Sequence, residues 1–306
     1  MYDYNTKNKS FLKVCETLRN KGIKNYDFML ELKNERLLNI DPYDPNLSFY
    51  DKVDILRECH DNIWYFLREI VRIPVQGNNN ILFPLDLSNC AQAYLTLYRC
   101  NSWITKPRMN FSTTSSLVLG NYFNIFLPKD GECIYLCDKS EADVNFLKNK
   151  ANNMLSILPN YISQTDNFNS KCCKGIKFST NDQDKIDGGF IYFEDGEHID
   201  DVKTKYENLV NRLGSDMCFT TASTISDTTN ANELLNNSIR WFDWFYDLKP
   251  DELINIVNCS PTKIIHIFTS YIDLGLGEEY FNKMVRMLLY TNTIRREVLL
   301  KRKDEV

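Results

Sequence analysis

The chain has 306 residues, 43% of them apolar and 25% charged, which is the balance of a globular protein long enough to bury a substantial core in one large or two modest domains. A formal net charge of −5 gives no global attraction to nucleic acid, so any contact with DNA must come from a local patch. The polar start MYDYNTKNKS does not read as a signal peptide, and no apolar run approaches the ~20 residues of a membrane span, so an intracellular protein is expected. Ten cysteines without a C-x-x-C spacing, several of them inside apolar runs, predict buried free thiols rather than disulfides. The three histidines lie far apart in sequence and predict no structural zinc.

The first ~100 residues read as helical. Phe11, Leu12, Cys15 and Leu18 follow helical spacing, with Gly22 placed as a stop. A second helix is expected from Tyr26 to Leu38, before the turn-rich Asp41-Pro42-Tyr43-Asp44-Pro45. From Lys52 to Ile70 the apolar spacing predicts one long helix or two short ones. Gly77 to Asn80 reads as a loop, and Leu87 to Cys100 as another helix.

Beyond residue 100 the pattern becomes strands alternating with helices. Strands are expected at Ser102–Thr105, 132–137, 175–180, Phe190–Glu194, Met217–Thr221 and Lys263–Phe268. Helices are expected at Thr113–Phe126, Glu141–Ile157, Asp201–Leu213, Ala231–Tyr246 and 278–293. This order predicts a mostly parallel α/β sheet flanked by helices, with ligands at the carboxyl ends of its strands. The expected organisation is a helical N-terminal subdomain over 1–100 and an α/β domain over 101–306.

Three segments carry chemistry. In NSWITKPRMNFSTTSSLVLG, residues 101–120, a short strand leads through Lys106-Pro107-Arg108 and a hydroxyl-rich stretch into a helix, the setting of a phosphate-binding loop. Such a loop has Gly-Lys-Ser/Thr where this chain has Phe111-Ser112-Thr113. The glycine admits the backbone to the phosphates and the lysine supplies a cation, so a bulky Phe111 is expected to obstruct the loop and Ser112 to leave it uncharged. The second segment, Gly189 to His198, is an apolar strand ending in Glu194 and Asp195, as a metal-holding acid and a water-positioning acid would require. The third, Cys218 to Thr224, is a strand ending in the hydroxyls Thr220, Thr221 and Ser223, which resembles the coupling segment of translocating ATPases.

Taken with the flanking text, these segments resemble the ATPase half of tailed-phage large terminases, the motors that pump DNA into proheads. The matching pieces run from an aromatic helix ending in Ile73-Pro74, through Asn89, Gln92 and Lys106-Pro107-Arg108, to Tyr135–Ser140, Leu158-Pro159-Asn160-Tyr161 and Arg295–Leu299, covering about residues 55–300. The resemblance implies a P-loop ATPase-like fold of the additional-strand (ASCE) type, with Mg·ATP as cofactor if the site still works and none if it does not. It places Arg108 at the loop arginine, Thr113 at the Mg²⁺-binding hydroxyl, and Gln92 and Arg72 on the adenine and phosphate side. Glu194 falls at the metal-binding Asp and Asp195 at the catalytic Glu, so the acid order is reversed, and a register shifted to Asp195 and Glu197 is an alternative.

Met109 stands for the family's Gln, Asn110 is variable, and the family's nuclease domain would begin where this chain stops, so no nuclease activity is expected. The basic Lys301-Arg302-Lys303 is a linker remnant, a DNA patch or a solvated helix end. The function implied is a packaging-related protein with a degenerate ATPase site, partnered by terminase, portal or prohead components and by double-stranded DNA as a candidate, in the host cytoplasm. Two alternatives stay open. One is an active divergent motor that recruits Lys106 or Arg108 as its cation, with the nuclease on a separate chain. The other is a pseudo-ATPase used only for interaction.

Overall fold

The computed structural model describes residues 1–302 apart from 76–79, 109–110, 127–133, 139, 164–174, 181–185, 187–188, 215–216, 226–227 and 289. The expectations about the loop at 77–79 and about Met109, Asn110, Cys133, Lys139, Cys172, Cys173 and Lys303 therefore lie outside the described residues.

Helix α1 (Lys9–Asn20) buries Phe11, Val14, Cys15 and Leu18 on one face, and Gly22 follows it at φ 80. The helix expected from Tyr26 to Leu38 does not form; two 3₁₀ turns stand there, Phe28–Leu30 and Glu35–Asn39. The cause is tertiary competition for the backbone. The Leu32 N–H goes to the Met1 carbonyl at 2.7 Å, and those of Lys33 and Asn34 go to the buried Glu58 carboxylate at 3.0 and 2.9 Å.

The 52–70 region is two helices. Helix α2 (Phe49–Asp61) starts at a Ser48–Asp51 capping box. Asn62 then breaks the chain and caps the short α3 (Ile63–Tyr65), which runs on as a π turn, Phe66–Ile70. Strands β1 (Arg72–Pro74) and β2 (Asn80–Leu82) pair antiparallel, an element the sequence did not suggest. Asp86 caps α4 (Leu87–Leu97), accepting from the Asn89 N–H at 2.7 Å.

The alternating part follows as β3 (Asn101–Thr105), α5 (Ser112–Phe126), β4 (Ile134–Cys137), α6 (Glu141–Ile157), α7 (Asn160–Ser163), β5 (Ile176–Ser179) and β6 (Gly189–Glu194). It continues through α8 (Val202–Leu213), β7 (Met217–Ser223), α9 (Thr229–Asn236), β8 (Ile239–Arg240), α10 (Pro250–Asn258), β9 (Ile264–Phe268), α11 (Glu278–Leu288) and α12 (Thr291–Glu297). The helix expected at Ala231–Tyr246 stops at Asn236. The Ser260 and Thr262 hydroxyls hold the Asn237 carbonyl, and the Trp241 N–H donates to the His266 carbonyl at 2.8 Å, which lays the chain along the sheet edge. The expected helix over 278–293 is likewise two, α11 and α12.

Strands β3 to β9 form one seven-stranded sheet in the order β5-β4-β6-β7-β3-β9-β8, and all six pairings are parallel. This is the mixed α/β, P-loop-like architecture, with β7 as the additional strand between the loop strand β3 and the acid strand β6. Alternate residues face opposite ways. Phe190 and Tyr192 join the large core with α1, α4 and α5, while Ile191 and Phe193 pack with Tyr206 and Leu209 of α8 and Leu234 of α9. The helices before residue 100 share that large core with the sheet. Tyr122 of α5, for example, donates to the carbonyls of Cys59 and His60 at 3.0 and 3.1 Å. No helix among the described residues is long and apolar enough to cross a membrane. The seven described cysteines form no disulfide with one another, and six of them are buried.

Asn62 links the N-terminal helices to one another. Its carbonyl oxygen accepts from the N–H groups of Trp64 and Tyr65, and its amide donates to Glu31 O and to the Glu58 carboxylate at 2.9 and 2.8 Å. Asn62→Ala removes a cap and leaves buried polar groups short of partners. It should lower stability by about 2–3 kcal/mol, read as a shift of the denaturant midpoint at constant slope.

Candidate phosphate cavity at the strand ends

The carboxyl ends of β3, β6, β7 and β9 stand level. Thr105 is in register with Ser223 and with Phe268, and Glu194 with Ala222. A cavity of about 660 Å³ opens above them, lined by Arg108, Ser112, Thr113, Glu194, Asp195 and Ser223 among others. The loop after β3, the start of α5, the acids ending β6 and the hydroxyls ending β7 thus converge on one space, as an α/β sheet requires of a ligand site.

Thr113 and Glu194 meet directly, the hydroxyl donating to the carboxylate at 2.6 Å. The Tyr192 hydroxyl donates to the other carboxylate oxygen. Burial pushes the Glu194 carboxyl up to about 7; the Thr113 and Tyr192 hydroxyls oppose that rise, and the charges of Asp195 and Asp138 add to it. Asp195 follows in the left-handed region at φ 44 and ψ 59, a backbone cost that short polar side chains tolerate best. The turn continues through Gly196 to Glu197, which lines the same cavity and accepts from the Thr224 hydroxyl at 2.9 Å. Both acid registers, Glu194–Asp195 and Asp195–Glu197, therefore reach the cavity. Burial also raises the Glu197 carboxyl.

Thr221 ties this turn to the additional strand. Its hydroxyl donates to the Phe193 carbonyl at 2.7 Å and accepts from the Gly196 N–H at 3.1 Å. A Cβ at residue 196 would overlap that hydroxyl and come within 3.1 Å of the Trp103 ring, so only glycine fits. Trp103 in turn donates from its indole N–H to the Ser223 hydroxyl at 2.9 Å.

Several residues are placed differently from the expectation. Phe111 does not obstruct the cavity: it takes φ 55, is 38% exposed and is not among the lining side chains. The loop thus keeps the left-handed backbone a glycine would adopt, with a phenylalanine in it. Lys106 turns its ammonium away into the start of α4, donating to the Ser88 hydroxyl at 3.1 Å and Asn89 Oδ1 at 2.7 Å, with Asp86 at 3.7 Å. Arg108 reaches the cavity, but its guanidinium pairs with Glu297 at 2.5 Å and its backbone N–H donates to the Glu297 carbonyl at 2.9 Å.

Gln92 is wholly buried, donating to Ser116 and Thr220 at 2.7 and 3.1 Å, and cannot face a nucleotide. Thr220 is buried too, at 3.0 Å from the Ser102 hydroxyl. Arg72 lies over the Tyr43 ring at 4.7 Å, in a separate pocket with Asp41 and Glu69.

The sequence reading missed Lys150 of α6 and Glu297 as cavity residues. Glu297 belongs to a segment quoted for its resemblance, whereas Lys150 carries no local signal at all. Among the described residues no three His, Cys, Asp or Glu side chains group as a metal site. Compared with protein-family models and with curated proteins, the chain has no match.

Two outcomes follow from this geometry. Gly196→Ala should destabilise the protein by about 1–3 kcal/mol in a denaturant titration, because the buried Thr221 cannot move aside without losing both its bonds. Glu194 has a raised carboxyl, so the stability it contributes is complete below about pH 4.5 and is lost as pH rises through about 7. Glu194→Gln lacks that loss, and its denaturant midpoint should gain on the parent's across this interval; a constant difference would contradict the assignment.

Proposed function

We propose that this chain is a terminase-like protein of phage DNA packaging that retains the P-loop scaffold with its phosphoryl chemistry lost or severely reduced. It would act in the host cytoplasm as a non-catalytic partner of an active terminase, of the portal or of the prohead. The observation that carries the site is the convergence, in one cavity at the strand ends, of Thr113, Glu194 and Asp195, with β7 interposed between their two strands. The packaging assignment is supported by the order of resembling segments over about residues 55–300.

Thr113 and Glu194 fit a magnesium ion, since a hydroxyl and one carboxylate, completed by phosphate oxygens and water, form a usual Mg²⁺ donor set. Bound there with a nucleotide, the ion would neutralise charge on the terminal phosphates. The chain's own groups explain why turnover should fail. Ser112 supplies no cation, Lys106 points into α4, and Arg108 is paired with Glu297. Asp195 stands next to Glu194 with a side chain one methylene shorter than the glutamate that positions water in the resembling family. Each such electrostatic element contributes several kcal/mol to phosphoryl transfer, so their joint loss removes most of the catalysis.

Purified protein with Mg²⁺ should show weak ATP binding and no measurable hydrolysis. Hydrolysis that disappears in Glu194→Ala or Asp195→Ala would overturn the degenerate site. The double change Phe111→Gly and Ser112→Lys should tighten Mg·ATP binding about tenfold or more, because the backbone at 111 already suits glycine and Ser112 lines the cavity. Unchanged binding would mean that this is not a phosphate loop. Co-purification with portal, prohead or an intact terminase chain tests the packaging role separately, and its absence during infection would sink it.

A further inference from the structure

Among the described residues three lysine and arginine side chains line the cavity, and two are occupied elsewhere. Lys106 is held by Ser88 and Asn89, and Arg108 by Glu297. The third, Lys150, makes no hydrogen bond or ion pair with any described residue; its ammonium lies over the Phe146 ring, 5.9 Å from the centroid. Helix α6 explains the placement. Val144, Leu147, Ala151 and Met154 bury one side of it in the core, and the adjoining side brings Phe146 and Lys150, one turn apart, to the cavity.

Lys150 is half-buried, and the burial lowers its ammonium pKa, with the Glu194 charge alone opposing. A partly desolvated cation without a bonded partner is costly, and an anion entering the cavity would remove that cost. The same cavity offers the hydroxyl and carboxylate oxygens of Thr113 and Glu194, suited to a magnesium ion carried by the same anion. The residues expected on the base side are absent from the cavity, since Gln92 is sealed in the core and Arg72 lies in another pocket.

We infer that Lys150 replaces the missing loop lysine as the phosphate-binding cation, in a site that takes a magnesium-bound polyphosphate with little discrimination between bases. The inference rests on the phosphate-cavity reading of the proposed function and adds the residue and the ligand class.

The test is calorimetric titration of the full chain with the magnesium complexes of inorganic triphosphate, ATP and GTP at low salt. The three should bind within a few-fold of one another, and more weakly as salt is raised. Lys150→Gln should weaken all three about tenfold or more without lowering the melting temperature, and Lys150→Arg should retain most of the affinity. Adding Ser112→Lys and Phe111→Gly to Lys150→Gln should restore binding, because a cation is returned to the cavity; a merely structural role for Lys150 would not be rescued this way. Equal binding by the parent and Lys150→Gln overturns the role of Lys150 and leaves the phosphate cavity standing. Strong preference for one nucleotide over triphosphate overturns the tolerance for base. No binding of any of the three by the parent overturns the inference together with the phosphate cavity, while co-purification decides the packaging role independently.

Discussion

One hydroxyl holds the functional end of this molecule together. Thr221 sits at the carboxyl end of the additional strand and bonds both the last carbonyl turn of β6 and the N–H of Gly196. Parallel strands align the ends of β3, β6 and β7, but alignment alone would let the acid turn swing out toward water. The Thr221 bonds, with Gly196 pressed against the Trp103 ring, fix where Glu194, Asp195 and Glu197 emerge. Trp103 and Ser223 extend the same contact to the strand that leads into the loop. The hydroxyl-rich end of β7, which the sequence marks as a coupling segment, is thus a structural bond between loop strand and acid strand. Thr221 and Ser223 make that bond, and Thr220 stays in the core with Ser102 and Gln92.

Charge around the cavity is distributed by what each side chain can pair with before any ligand arrives. A buried ammonium needs several oxygen acceptors, and the start of α4 supplies them to Lys106 through Ser88, Asn89 and Asp86. A guanidinium seeks a carboxylate at fixed geometry, and α12 supplies Glu297 to Arg108. Tyr280 of α11 adds a bond from its hydroxyl to the Arg108 carbonyl at 2.8 Å, so the C-terminal helices clamp the loop by backbone and side chain together. These pairings take the two basic residues nearest the loop out of play as phosphate ligands. They also bear on why a carboxylate-rich cavity is stable in this fold: Glu194, Glu197 and Glu297 are each met by a hydroxyl or a cation.

The strands and most helices of the α/β part were legible because their signals are local. Fully buried parallel strands such as Ile134–Cys137 and Met217–Ser223 read as apolar runs, and Glu141–Ile157 has its Ser140 cap and helical spacing in one stretch. The errors fell where distant groups capture backbone. Residues 26–38 have helical spacing, yet Glu58 and Met1 take the N–H and C=O partners a helix would need. Residues 237–241 are pulled from a helix to the sheet by Ser260, Thr262 and His266. The site shows the same division. Thr113, Glu194, Asp195 and Ser223 follow from motif order, but the destinations of Lys106, Gln92 and Arg72, and the arrival of Lys150, depend on contacts between elements far apart in sequence.

Phe111 holds a left-handed backbone conformation that a glycine would adopt more easily. A non-glycine side chain at φ 55 costs on the order of 1 kcal/mol, and the ring, 38% exposed, is covered only in part. What maintains the conformation lies on either side. Before it, Arg108 is bonded through N–H, C=O and guanidinium to the C-terminal helices; after it, α5 begins at once, with Thr114 to Phe123 buried against the sheet. Both flanks are fixed by interactions worth more than the strain at Phe111. The path at 111 is then set by the flanking elements rather than by the side chain that stands there.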